Sequence, residues 1–213
     1  APLDVFRLVC PSGMNETFAM RPQLRAILAD EHTMVDQRQI VEIENKDAKP
    51  RRFVFVLLNN FTLLCFSAAL ESLRIANRMA NQEIYQWVLA GEGGGTVKSS
   101  AGASFELDMD LGELSRDDTI MLCGGIDVQH ATTKKLLNWV RRESRKGLLV
   151  GGLCTAAFTL AKAGLLDNKK ATIHWENQDS FAEEFDEVEL TKSVFVIDGN
   201  RMTTAGGTSS IDL

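Results

Sequence analysis

The chain alternates between continuous apolar runs and segments whose apolar residues recur every three or four positions. Runs such as "FVFVLL" from Phe53 and "DTIMLCGG" from Asp118 are typical of strands that are buried on both faces of a sheet. The segment "TLLCFSAALESLRIANRMA" from Thr62 predicts a helix with one apolar side. The residues predicted on or near that side are Leu63, Phe66, Leu70, Leu73 and Ile75.

Further strands and helices follow in the same alternation. They are the strands "IYQWVLA" and "LLVGG", the hairpin arm "AGASFELDMDL", the helices "ATTKKLLNWVRRESRKG", "TAAFTLAKAG" and "HWENQDSFAEEF", and the hairpin "SVFVIDGNRMTTAGG". Another helix is predicted to begin in "TSSIDL". The predicted fold class is therefore α/β: a doubly wound, mainly parallel sheet with helices on both faces.

Three strand ends are candidate places for a ligand. Doubly wound sheets bind ligands at the carboxyl ends of their strands, near the point where the strand order reverses. The segments at the predicted ends are "NNF", "CGGID" and "GGLCT". The glycine-rich segment "GEGGGT" lacks the lysine of a phosphate-binding loop and is predicted to be a turn.

The first part of the chain differs from the rest. Residues 1–52 are polar and charged and end in a linker-like segment around Pro50, so they are predicted to be an extension of unknown role. Residues 53–213 are predicted to be one domain. The 213 residues carry a net charge of −6, which argues against this segment wrapping a nucleic acid backbone.

The composition also indicates in which compartment the protein is expected and whether it is expected to bind a cofactor. No apolar run approaches the roughly 20 residues of a membrane span, and no secretory signal is visible. The four cysteines, Cys10, Cys65, Cys123 and Cys154, form no CxxC pair, which favours reduced thiols in a cytoplasmic protein. The three histidines are scattered, so neither a metal site nor a cofactor is predicted.

Cys154 is the residue most suited to chemistry. It lies in "GLLVGGLCTAAFTLAKAGLL", where a glycine-rich strand end meets a helix, and such a turn holds a side chain clear of the backbone. A helix N-terminus favours a thiolate, and the N–H of Thr155 suits an oxyanion or a ligand carboxylate. Three roles stay open for Cys154: a nucleophile, a ligand-sensing thiol, or a small core residue.

Other candidate residues each have a structural alternative. Glu71 either faces the cysteine or forms a solvated pair with Arg74. Trp175 either offers an aromatic face to a cationic ligand or belongs to the core. His174 is catalytic, lines a pocket, or is structural, while the basic residues around Lys134 are predicted to be the solvated face of an amphipathic helix.

Four segments carry a resemblance to a known family. They are "FTLLCFSAALESLRIAN", "CGGIDVQHATTKKLLNWV", "GGLCTAAFTLAKAGLLDNKKATIHWE" and "TTAGGTSSIDL". Together they resemble the flavodoxin-like ThiJ/PfpI fold of the class I glutamine amidotransferase-like superfamily. More narrowly, residues 53–213 resemble the sensor half of AraC-type transcriptional regulators, and the resemblance implies that Cys154 is the elbow cysteine of that fold.

The resemblance also implies which catalytic partners are missing. Many hydrolase relatives carry a histidine directly after the elbow, where this chain has Thr155. Isocyanide-hydrating relatives carry an acid in an "LD" pair of the first helix, where this chain has Leu64 and Cys65. His174 follows Cys154 too closely in the chain to match the histidine of glutamine amidotransferases. The site is therefore expected to bind a ligand rather than to turn it over.

The resulting expectation is the effector-binding domain of a bacterial AraC-type regulator. The predicted ligand-binding residues are Gly124, Gly125, Ile126, Cys154, Thr155, His174, Trp175 and Glu71. Relatives sense arginine, carnitine or glycine betaine, so the resemblance implies a small cationic or zwitterionic effector. It also implies a homodimer and DNA contact through helix-turn-helix motifs after Leu213. The alternative is a cysteine-dependent hydrolase or hydratase of the same superfamily.

Overall fold

A central sheet of six strands organises the part of the chain that the computed structural model describes, residues 49–211. Its strands are β1 (Arg51–Leu57), β2 (Tyr85–Ala90), β5 (Thr119–Cys123), β6 (Leu149–Leu153), β9 (Phe195–Asp198) and β10 (Arg201–Thr204). Two small pairs complete the strands: β3 (Thr96–Lys98) with β4 (Ser104–Glu106), and β7 (Lys170–Ala171) with β8 (Glu189–Leu190). The helices are α1 (Leu63–Ala80), α2 (Val128–Ala131), α3 (Lys134–Ser144), α4 (Ala156–Lys162) and α5 (Gln178–Glu184).

The strand order confirms a doubly wound, mainly parallel sheet. The order is β2-β1-β5-β6-β10-β9, and neighbouring strands are parallel except β9 and β10. The chain runs outward from β1 to β2 and then returns to β5 on the other side of β1. The strand order therefore reverses between β1 and β5, and their carboxyl ends border the crevice where such sheets bind ligands.

Alternate residues of the central strands pack into two separate cores on opposite faces of the sheet. On one face the strands pack against α3 and α4 through Val54, Val56, Ile120, Leu122 and Val150. On the other face they pack against α1 through Phe53, Phe55, Leu57, Met121 and Cys123. Burial on both faces explains why β1 and β5 are continuous apolar runs in the sequence.

The predicted boundary at Phe53 differs from the observed start of the sheet. β1 begins at Arg51, because Arg51 and Arg52 pair with Tyr85 and Gln86 of β2. The Arg52 guanidinium also donates two hydrogen bonds, of 2.9 and 2.6 Å, to the buried carboxylate of Asp118. The predicted extension otherwise lies outside the described residues, and its role stays a prediction.

Helix α1 buries a slightly different side from the predicted one. Its buried residues are Cys65, Phe66, Ala69 and Leu73. Ile75 is 41% exposed, since successive helical residues turn by about 100° and Ile75 points nearly opposite to Leu73. The predicted amphipathic pattern is therefore correct, but the centre of the buried side lies nearer to Cys65 and Ala69 than was predicted.

The basic helix α3 also has a defined buried side. Thr133 caps it, because the Thr133 hydroxyl accepts a hydrogen bond of 3.1 Å from the N–H of Leu136. The fully buried carboxylate of Glu143 accepts hydrogen bonds from Arg142 at 2.7 Å and forms an ion pair with Lys146 at 2.8 Å. Lys134, Lys135, Arg142 and Arg145 are exposed, as predicted for a solvated face.

The remaining predicted segments are found with small differences. "GEGGGT" forms a turn, and the final hairpin pairs β9 with β10 in antiparallel register. The helix predicted from His174 is divided into a 3₁₀ turn, Trp175–Asn177, and α5. The segment "TSSIDL" contains the end of a second 3₁₀ turn, Gly207–Ser210, and its last two residues lie outside the described range. Within residues 49–211, no helix is both long and apolar enough to cross a membrane.

Two glycines allow the strand ends to approach each other closely. A Cβ atom on Gly125 would lie 2.1 Å from the carbonyl oxygen of Asn60 and 2.7 Å from the nitrogen of Thr62. A Cβ atom on Gly124 would lie 2.4 Å from the nitrogen of Ala156. These neighbours are backbone atoms, so they cannot move aside as a flexible side chain can.

We expect Gly125→Ala to lower the free energy of unfolding by about 3 kcal/mol, because overpacking against fixed backbone forces the strand ends apart. Urea denaturation followed by tryptophan fluorescence measures this change. Gly112→Ala is the matched control: its nearest neighbour is the terminal carbon of Met109 at 3.2 Å, and we expect a loss below about 1 kcal/mol. Equal losses in the two variants would contradict the close contact at Gly125.

Candidate functional site

Cys154 occupies the tight turn between β6 and α4, which confirms the predicted elbow. Its φ is +61°, in the left-handed region that residues other than glycine seldom adopt. Such a conformation costs on the order of 1–3 kcal/mol and must be held by its surroundings. One such restraint is the hydrogen bond of 3.3 Å from the Cys154 N–H to the Thr204 hydroxyl. The next residue is fixed as well, because the Thr155 hydroxyl donates to the Gly125 carbonyl at 2.8 Å.

The first turn of α1 supplies the closest polar neighbours of the Cys154 sulfur. The Thr62 hydroxyl lies 3.6 Å from Sγ, and Cys65 belongs to the same buried cluster as Cys154. Cys154 and Cys65 are only 3% and 1% exposed, so these contacts lie beneath the surface.

These neighbours determine which thiol ionises. The interaction with Cys65 lowers the pKa of Cys154 most strongly, and those with Thr62, His174 and the Thr155 N–H act in the same direction. Burial opposes them, yet the pKa of Cys154 falls to about 6. The pKa of Cys65 is raised, first by its interaction with Cys154 and then by burial. The pair therefore holds its first negative charge on Cys154 and its proton on Cys65.

His174 and Cys154 approach each other at Gly206. A Cβ atom on Gly206 would lie 2.7 Å from the Cδ2 atom of His174 and 3.1 Å from the Cys154 sulfur. Gly206 has a φ of +92°, so both the space and the backbone require glycine here. On the other side of the His174 ring, the Nδ1 atom lies 3.6 Å from a carboxylate oxygen of Glu176.

Two exposed apolar side chains lie in the segments that follow β5 and β7. Trp175 is 69% exposed, which excludes the alternative of a core tryptophan, and its ring centroid lies 5.7 Å from that of His174. Ile126, which directly follows the glycines after β5, is 61% exposed. The structure therefore gives both residues the exposure that a ligand contact requires.

Glu71 does not belong to this group. Its carboxylate is exposed and accepts hydrogen bonds of 2.8 and 2.5 Å from the guanidinium of Arg74. The inward-facing alternative was wrong, because Glu71 lies on the solvent side of α1 whereas Cys65 and Leu73 define the buried side. The solvated pair with Arg74 is confirmed.

A cleft of about 490 Å³ opens beside these residues, over the ends of β1 and β2. Its lining includes Asn60, Glu92, Asp127 and His130. None of the predicted ligand-binding residues lines this cleft; its nearest link to them is Asn60, whose carbonyl accepts a hydrogen bond of 3.1 Å from the Ile126 N–H. Within residues 49–211, no group of three or more histidine, cysteine, aspartate or glutamate side chains is arranged to hold a metal ion.

Sequence reasoning missed Thr62, Cys65, Thr204 and Gly206 as parts of the site. The signal for Cys65 was present, because it stands where the isocyanide-hydrating relatives carry an acid. Thr62 and Gly206 carried no comparable signal. Their contacts with Cys154 arise only when α1 and the segment after β10 are placed against the elbow.

Residues 51–213 match the model of the DJ-1/PfpI family. Over 161 residues the chain is 41% identical to the HTH-type transcriptional regulator CdhR of Pseudomonas aeruginosa, covering 76% of this chain and 48% of that protein. It is 39% identical over 164 residues to the HTH-type transcriptional regulator GlxA of Rhizobium meliloti, covering 76% and 51%. It is also 30% identical over 117 residues to an isonitrile hydratase of Pseudomonas putida, covering 54% and 50%. The chain thus spans about half the length of these curated relatives.

Solved structures resemble the described fold. An AraC family transcriptional regulator from Pseudomonas putida has a TM-score of 0.65 at 27% identity, covering 77% of this chain and 88% of that one. DJ-1beta of Drosophila melanogaster has a TM-score of 0.64 at 22% identity, covering 77% and 86%. The second likeness concerns the fold alone.

We expect the ultraviolet absorbance of a thiolate to appear as the pH rises through about 6, and to be absent in Cys154→Ala. Thr62→Val should move this step to higher pH, because the thiolate loses a hydrogen-bond donor. The control is Thr191→Val, in the residue that follows β8, and we expect it to leave the step in place. A chain that ionises only above pH 8 or so, like an ordinary thiol, would contradict the assignment.

Proposed function

The chain belongs to the DJ-1/PfpI family, and on that premise we propose that residues 51–211 are the effector-binding part of a transcriptional regulator of the AraC type. The effector binds in the crevice between the ends of β1, β5 and β6, next to Cys154. Its binding favours one arrangement of the whole regulator over another, and this requires a different affinity for the two arrangements.

This proposal rests on the chemical nature of the groups that surround the Cys154 sulfur. Among the described residues, the groups that lower the pKa of Cys154 are the Cys65 thiol, the Thr62 hydroxyl, His174 and the Thr155 N–H. None of these is a carboxyl group, although the acid of the hydratase relatives would stand at Cys65. Without that acid, the positioned proton transfer that typically contributes 10²–10⁴-fold to a rate loses one of its partners. An anionic sulfur that is held by hydrogen bonds suits recognition of a ligand.

The charge around the crevice favours a small cationic or zwitterionic nitrogen compound. The Cys154 thiolate and the carboxylates of Glu92 and Asp127 supply negative charge, and the exposed ring of Trp175 offers an aromatic face to a cation. The adjoining cleft of about 490 Å³ falls within the usual range of ligand pockets. A ligand carboxylate would be bound by backbone N–H groups such as that of Thr155.

DNA contact and dimerisation belong to the proposal for the whole protein. The HTH-type regulators CdhR and GlxA are about twice as long as the matched part of this chain. We infer that DNA is bound by a helix-turn-helix segment outside the 213 residues, in a homodimer with a cytoplasmic location. The net charge of −6 of this chain agrees with DNA contact lying elsewhere.

The alternative function is a cysteine-dependent hydratase or hydrolase. It is favoured by the likeness to an isonitrile hydratase and by the lowered pKa of Cys154, which makes the sulfur a better nucleophile. In that case His174, whose ring lies against Gly206 together with the Cys154 sulfur, would be the candidate partner for proton transfer.

We expect isothermal titration calorimetry to detect binding of at least one compound from a panel of glycine betaine, carnitine and arginine. Trp175→Ala should weaken that binding about tenfold, since a desolvated cation–π contact contributes roughly 1–2 kcal/mol. The control is Met79→Ala, an exposed residue at the opposite end of α1 from Cys65, and should leave the affinity unchanged.

A parallel assay separates binding from turnover. Cys154→Ala should change only the affinity for the effector, and isocyanide incubated with the unmodified chain should not be hydrated above the solvent rate. Turnover that disappears in Cys154→Ala would overturn the sensor proposal in favour of the hydratase. No heat of binding from the whole panel, in folded protein, would overturn the proposed ligand class.

A further inference from the structure

The outer side of α1 carries a row of apolar residues that faces solvent. Leu64, Ile75 and Met79 are 52%, 41% and 46% exposed, and the half-buried Ala68 lies between them. Because successive helical residues turn by about 100°, these four side chains lie within about 60° of one another on the helix. Scattered exposed apolar residues are ordinary on a protein surface, but an apolar row on one helix side marks a contact surface. We propose that this outer row is the contact surface of a homodimer, in which the α1 helices of two copies pack antiparallel about a two-fold axis.

The spacing of the outer row is nearly the same when it is read in either direction. Counted from Glu71, Ala68 and Leu64 lie three and seven residues before it, and Ile75 and Met79 lie four and eight residues after it. A two-fold contact requires such a pattern, because the same surface of both copies must be complementary to itself. With the axis beside Glu71, the Ile75 side chain of one copy packs against the small Ala68 of the partner, and Leu64 packs against Met79 of the partner.

The charged residues beside the outer row also suit a second copy of the chain. A two-fold axis perpendicular to both helices brings the same flank of the two copies together, so that Glu71 of one copy faces Arg74 of the partner. Within one copy, Arg74 donates two hydrogen bonds to the Oε2 atom of Glu71, at 2.8 and 2.5 Å. The Oε1 atom accepts none from residues 49–211, and Arg78 on the same flank forms no ion pair within that range. Glu71 and Arg78 can therefore form ion pairs across the contact.

The size of the contact determines how strong the dimer is expected to be. Helix α1 has 18 residues and is therefore about 27 Å long. One side of a helix of this length buries less than the roughly 800 Å² per partner of a standard interface. We therefore expect the 213-residue chain to be a dimer that dissociates at micromolar concentrations.

One helix carries both the dimer contact and part of the elbow site. Thr62, whose hydroxyl lies 3.6 Å from the Cys154 sulfur, directly precedes α1, and Leu64 is the second residue of that helix. In an antiparallel pair of α1 helices, the elbow sites of the two copies therefore lie at opposite ends of the pair. The α1 contact gives the homodimer of the proposed function a defined surface, and it rests on that proposed function.

The test measures the mass of the 213-residue chain by sedimentation velocity, from low to high micromolar concentration. We expect a monomer–dimer equilibrium in the parent chain. Ile75→Asp should raise the dissociation constant at least about thirtyfold, because the new carboxylate would be buried in an apolar contact beside Glu71 of the partner. Val194→Asp is the matched control: Val194 is also β-branched, is 56% exposed and lies outside α1, directly before β9, so the dissociation constant should not change.

Charge reversal tests the two-fold arrangement without changing the apolar contact. Glu71→Arg alone should weaken the dimer about tenfold, because it places an arginine opposite Arg74 of the partner. Arg74→Glu alone should weaken it similarly, since two carboxylates then face each other. The variant with both changes should recover most of the affinity, because the pair is restored with its charges exchanged.

Cross-linking tests the antiparallel direction. A mixture of Leu64→Cys chains and Met79→Cys chains, each carrying Cys10→Ser, should be joined by a short bismaleimide, whereas Leu64→Cys chains alone should not. The cysteines at positions 65, 123 and 154 are buried and are therefore poorly accessible to the reagent.

The proposal is overturned if the parent chain is a monomer at every concentration, or if Ile75→Asp dimerises as strongly as Val194→Asp. Joining of Leu64→Cys chains to one another would indicate a parallel contact and would overturn it as well. A parent dimer that Ile75→Asp leaves intact would contradict the α1 contact but not the proposed homodimer. Effector binding, measured by calorimetry on the same chain, tests the sensor function separately.

Discussion

The candidate site depends on close backbone contact between the ends of β1, β5 and β6. Gly125 lies against Asn60 and Thr62, and Gly124 lies against the first turn of α4, at separations that leave no room for a Cβ atom. Backbone hydrogen bonds follow the same contacts, with the Thr62 N–H donating to the Gly124 carbonyl at 2.9 Å. This contact fixes the start of α1, and the start of α1 carries both Thr62 and Cys65. The polar environment of the Cys154 sulfur is thus a consequence of where two glycines allow the backbones to meet.

Much of the fold could be predicted from the sequence because its signals are local. A strand buried on both faces must be apolar throughout, and close approach of two backbones requires glycine, so β1, β5 and β6 and the ends of β5 and β6 were visible as patterns. The elbow at Cys154 was predicted for the same reason. The 3₁₀ turn at Trp175–Asn177 was not, because the sequence from His174 to Phe185 has one continuous helical pattern.

The composition of the site could be predicted only in part, because it depends on how the helices are placed. Whether Glu71 or Cys65 faces the elbow is decided by the rotation of α1 about its axis, and both positions fit an amphipathic helix. Packing decides it: Phe66, Ala69 and Leu73 enter the core and carry Cys65 with them, while Glu71 turns towards Arg74. Gly206 could not be found from spacing either, since its contact with His174 and Cys154 joins three separate segments.

A thiol rather than a carboxyl group at position 65 decides where the negative charge of the site lies. A carboxyl group at this position would ionise more readily than a thiol and would carry the charge on α1, next to a protonated elbow cysteine. Here the Cys65 thiol ionises less readily than the Cys154 thiol, so the charge lies on Cys154 and the proton stays on Cys65. The negative charge of the site therefore lies in the turn after β6, where the Thr62 hydroxyl is 3.6 Å from the sulfur and the Thr155 N–H also lowers the pKa of Cys154. A thiol at this position therefore leaves the negative charge on the Cys154 sulfur, in the same buried cluster as the protonated Cys65.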